Sequence, residues 1–86
     1  MLIGSLSNDL YRVAGFVFSG SNKSAERFFQ EARKWSSQLT SQHLESYIKK
    51  IVIDINSTKE EQLSLEKAEL LLMYSILLQN YSLKLS

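Results

Sequence analysis

Residues 63–85, LSLEKAELLLMYSILLQNYSLKL, decide the fold, because they hold more apolar surface than one neighbouring element can cover. Placed on a helical wheel, the apolar side chains form two seams. Leu63, Leu70, Tyr74, Leu77 and Tyr81 make the first, widened by Leu71, Met73 and Leu78. Leu65, Leu72, Ile76 and Leu83 make the second, roughly opposite. Gln62, Glu69 and Asn80 separate the seams on one side, and Ser64, Ser75 and Ser82 on the other. A helix apolar on two sides is buried on two sides. This last helix is therefore expected to be the central one, either sandwiched by three shorter companions or sharing its second seam with a partner. Burial of a large aliphatic side chain is worth about 1.5–3 kcal/mol, which favours a partner over four exposed side chains.

Immediately upstream, Thr58-Lys59-Glu60-Glu61 has the form of a capping box, a hydroxyl at the cap and a carboxylate three residues on. It predicts a helix over about 59–83. The run Leu70 to Leu78 is interrupted at Ser75 and ends at Gln79-Asn80. A bilayer span needs about 20 apolar residues, so no membrane span is expected.

Leu6, Leu10, Val13 and Val17 recur at helical spacing over about 6–19, with Tyr11, Ala14 and Phe18 broadening the stripe. Asn8, Arg12, Gly15 and Ser19 make the outward strip, and Phe16 lies on neither side, an exposed anchor for a partner. Gly20 suits a helix C-terminus and Ser21-Asn22 the next cap. A second helix is expected over about 23–37. Ala25, Phe28, Phe29, Ala32, Trp35 and Leu39 lie on its core face and Arg27, Glu31, Lys34 and Gln38 on the other. The three large aromatics should supply much of the core.

The Ser- and Thr-rich stretch 36–42 reads as a turn with a cap at Thr40 or Ser41, opening a third helix over about 42–55. Ile51-Val52-Ile53-Asp54-Ile55 is β-branched and suits a strand. No second strand-like run exists to pair with it, so a helix is expected, with Ile53 facing away from the core stripe. The reading is an all-α fold: one domain over residues 1–86, a small antiparallel four-helix bundle with short connections.

Composition narrows the chemistry. Eighty-six residues make one small domain, a size at which association often helps stability. The absence of cysteine excludes disulfides, thiolate nucleophiles and zinc–thiolate sites. The start, Met1-Leu2-Ile3-Gly4, lacks the basic segment and apolar length of a signal peptide, so a cytoplasmic location is the expectation. The only histidine, His43, is expected in the first turn of helix three with no catalytic partners. The three glycines, at 4, 15 and 20, form no phosphate loop, and no Glu-x-x-His pair completes a metal site. No catalytic, cofactor-binding or metal-ligating residues are assigned, and no enzyme is expected.

Two functions remain. The first is a non-enzymatic protein–protein interaction module with a regulatory role, self-associating as a homodimer through Leu65, Leu72, Ile76 and Leu83, or meeting another protein there. The alternative is a small regulator that contacts nucleic acid through Arg27, Lys34, Lys49 and Lys50 of helices two and three. Residues 1–53 carry seven basic against four acidic side chains, whereas 54–86 carry three against five. Glu26 and Glu31 interrupt the basic strip, which ranks nucleic acid second.

Overall fold

Helix α1, Leu2–Phe18, buries Ile3, Leu6, Ser7, Leu10, Val13, Ala14 and Val17, a stripe wide enough to face two neighbours. The computed structural model describes residues 2–85. Helices α2 (Asn22–Leu39), α3 (Ser46–Ser57) and α4 (Leu65–Leu85) follow, with a single turn of 3-10 helix at Glu60–Gln62 between the last two. The four helices form the expected all-α bundle.

The chain runs up and down. Asp9 meets Trp35 while Phe16 meets Phe28, so α1 and α2 are antiparallel. Ser7 meets Ser75 while Gly4 lies beside Ser82, so α1 and α4 are antiparallel as well. Tyr47 packs edge-on against Tyr81, and Asp54 meets Lys67, which sets α3 antiparallel to α4.

The closely packed middle position belongs to α1 rather than to the last helix, since α1 packs tightly on both α2 and α4. Small residues explain this. Gly4 and Ser7 on α1 face Ser82 and Ser75 on α4, and Ala14 and Ala68 are fully buried small residues of the same two helices. Small side chains at a crossing let helix axes approach towards the near end of the usual 8–10 Å range. By contrast α3 and α4 meet through long side chains. The core that results contains Phe29, Leu39, Ile48, Ile55, Leu71 and Leu78, all almost fully buried, with Phe28 and Trp35 only half-buried beside it.

Two expectations about helix starts need correction, for one physical reason. The third helix starts at Ser46 rather than 42, and the last at Leu65 rather than 59. The hydroxyls that resembled N-caps instead close the preceding helix. Thr40 Oγ1 donates to the Ser37 carbonyl and Ser41 Oγ to that of Gln38. Likewise Thr58 Oγ1 donates to the Asp54 carbonyl at 2.7 Å instead of accepting from an amide of a capping box at 58–61. The last carbonyls of a helix lack intrahelical donors, and a hydroxyl one turn on supplies one. The cap of α4 is Ser64, whose Oγ accepts from the Lys67 amide at 3.1 Å. His43 lies exposed in the extended link before α3, not in its first turn.

Other expectations hold. The β-branched run 51–55 is helical, and Ile53 is 62% exposed. Gly20 adopts φ 80°, and its amide donates to the Val17 carbonyl while the Ser21 amide donates to that of Phe16. That paired closure is a Schellman motif, which requires the left-handed backbone that glycine tolerates.

Candidate functional site

Helix α4 spends its buried face on Ala68, Leu71, Ser75, Leu78 and Tyr81. Leu71 and Leu78 are the large aliphatics of that face, so most of the other leucines fall outside it. Of the second seam, Leu65 is 61% exposed, Ile76 53% and Leu83 65%, while Leu72 is half-buried. Met73 and Leu77, placed in the first seam by the wheel, are exposed too. The two-sided burial expected of this helix is thus not met within one chain.

The seam borders a shallow groove of about 300 Å³ between α1 and α4. Leu72 and Ile76 form one wall, Tyr11 stands on the other, and Asn8 and Gln79 supply a polar rim. Tyr11 is 64% exposed, a correction to its expected place in the core stripe, and exposed Phe18 is corrected likewise. Both sit at the margin of the buried α1 stripe. Conversely, Phe16 is no exposed anchor: it is half-buried and its ring stacks on Phe28 with centroids 5.4 Å apart. The Arg12 guanidinium lies over the outer part of that pair, 5.4 Å from the Phe28 centroid.

A second feature, absent from the sequence reading, joins α3 to α4. The Asp54 carboxylate accepts from Lys67 Nζ through both oxygens, at 3.1 and 3.0 Å, and from the Tyr74 hydroxyl at 2.7 Å. Partial burial pushes the Asp54 carboxyl up, but the Tyr74 hydroxyl and the Lys67 ammonium outweigh it and hold it below its ordinary value. Burial together with the adjacent carboxylate pushes Tyr74 up to about 12. All three groups are satisfied by one another, so the triad is a clamp between helices. Its sequence signal was one acid inside an apolar stripe, Ile51 to Ile55. A matching clamp joins α1 to α2, where Trp35 Nε1 donates to Asp9 at 2.9 Å.

The basic residues of the nucleic-acid reading are all exposed, Arg27 and Lys34 on α2 and Lys49 and Lys50 on α3. Lys34 pairs with Glu31 at 3.3 Å. Ser36 Oγ donates to the Val52 carbonyl where α2 crosses α3, and Arg27 lies on one side of that crossing with Lys49 and Lys50 on the other. Arg33 pairs with Glu60 at 3.5 Å. Among the described residues no group of three or more His, Cys, Asp or Glu is placed to hold a metal ion, and every buried side-chain polar atom has a partner. No described helix is long and apolar enough to cross a membrane. Comparison with protein-family models, curated proteins and solved structures finds no match to this chain.

Proposed function

We propose that this chain is a small non-enzymatic interaction module that self-associates through the outer face of α4. The observation that carries the reading is the stripe of exposed Leu65 and Ile76 with half-buried Leu72 between them, beside exposed Tyr11, on a helix whose other face already fills the core. Large aliphatic side chains along one helix face are costly to leave in water. A second copy of the same surface removes them from water at no cost in specificity, since two-fold contacts are the commonest form of association. The polar rim of Asn8 and Gln79 fits the anatomy of such contacts, apolar at the centre and wet at the edge.

Light scattering after size exclusion, across a concentration series, tests the reading. A species near twice 9.9 kDa is expected, shifting to monomer as the sample is diluted. The double substitution Leu72→Glu, Ile76→Glu should give monomer with helical content unchanged by circular dichroism. Wild-type protein that remains monomeric throughout the series would overturn the proposal. A parallel titration with duplex DNA and with RNA at low salt checks the rival: binding weakened by Arg27→Gln and Lys34→Gln would favour nucleic-acid recognition.

A further inference from the structure

We propose that the two copies join with their α4 helices antiparallel, about a two-fold axis level with residue 74. This rests on the self-association reading above and specifies its geometry. Positions 65, 69, 72, 76, 79 and 83 are spaced by alternating steps of four and three, the repeat of a helix–helix seam. They are occupied by Leu, Glu, Leu, Ile, Gln and Leu, and five of the six are exposed, Leu72 being half-buried.

The series pairs with its own reverse. An antiparallel partner centred on residue 74 sets Leu72 against the partner's Ile76, Leu65 against the partner's Leu83, and Glu69 against the partner's Gln79. Apolar meets apolar in both pairs, and the one acid meets an amide able to donate to it. A two-fold contact demands such self-complementarity, because residue i must suit residue j in both directions.

The charges select the same orientation. Glu66 and Glu69 stand exposed in the first turns of α4, and Lys84 stands exposed in its last. Antiparallel pairing brings Lys84 near the acidic end of the other helix and opposes the two helix dipoles. Parallel pairing would instead set Glu69 against the partner's Glu69 inside the seam and leave the Lys84 ends together. Like carboxylates at close range are unfavourable there. Tyr11, across the groove from Leu72 and Ile76, flanks the incoming helix.

Cysteine cross-linking tests the orientation, because the native chain has no cysteine to interfere. Leu65→Cys and Leu83→Cys are made separately, in chains carrying tags of different mass. Each is oxidised alone and as an equal mixture, and reduced samples are sized by light scattering alongside. The prediction is a disulfide heterodimer from the mixture and none from either variant alone. Within an antiparallel pair, like positions 65 and 65 or 83 and 83 are about 27 Å apart along the axis, far beyond the roughly 7 Å limit for a disulfide. A noncovalent dimer by scattering that cross-links in each variant alone, or in no sample, overturns the antiparallel arrangement while self-association stands. Monomer by scattering in wild type and both variants removes the underlying reading, and this inference with it.

Discussion

At the scale of single residues, the Asp54–Lys67–Tyr74 clamp makes stability depend on pH at both extremes. The Asp54 carboxyl is held below its ordinary 3.8 in the folded protein, so its contribution is present above that value and is lost as pH falls. Tyr74 is raised from 10.0 to about 12, so its contribution is complete below pH 10 and disappears as pH rises through 12. Tyr74→Phe should cost about 1–2 kcal/mol at neutral pH and flatten the alkaline fall, both measured by urea denaturation across pH. An unchanged alkaline limb would show that another group governs it. Two glycines should respond with opposite signs. Gly20→Ala forces a side chain into φ 80°, at about 1–2 kcal/mol. Gly15 sits mid-helix with nothing within 4 Å of an added Cβ, so Gly15→Ala should stabilise by about 0.5–1 kcal/mol. Denaturation midpoints of the two variants on opposite sides of wild type would bear this out.

At the scale of elements, hydroxyl direction separates what was legible from what was not. The apolar spacing of α1 and α2 identified both helices, and Gly20 marked the boundary between them. Ser, Thr and Asn before a helix look alike in sequence whether they cap it or close the one before. Thr58 and Ser64 are the instructive pair: the first donates back to Asp54, and only the second accepts from the α4 amides. The choice depends on which orphan groups lie within reach once the chain has turned, and that is a tertiary fact. Helix α4 shows the same limit in its packing. Wheel arithmetic weights large apolar residues, yet Ala68 and Ser75 define much of its buried face. Small residues permit the close approach to α1, and the nearby leucines are displaced outwards by it.

At the scale of the whole molecule, the bundle measures 34 × 21 × 19 Å, and α4, about 31 Å long, runs nearly its full length. The seam on that helix consequently lies along the long axis of the molecule. If association through it contributes to stability, the melting temperature should rise with protein concentration. The Leu72→Glu, Ile76→Glu variant should then melt independently of concentration. Differential scanning calorimetry at two concentrations a hundredfold apart measures both, and a wild-type midpoint that does not move would count against the dimer.

The sequence by itself determined the all-α class, the number of helices, the α1–α2 boundary and the excess of apolar surface on the last helix. These follow from periodicity and backbone chemistry, which are local. Only the tertiary structure decided that α1 takes the middle position, that Tyr11 is left outside while Phe16 stacks on Phe28, and that Asp54 is clamped by Tyr74 and Lys67. Those outcomes turn on how closely two helix axes approach. That distance is set jointly by small residues far apart in the chain, such as Ser7 and Ser75.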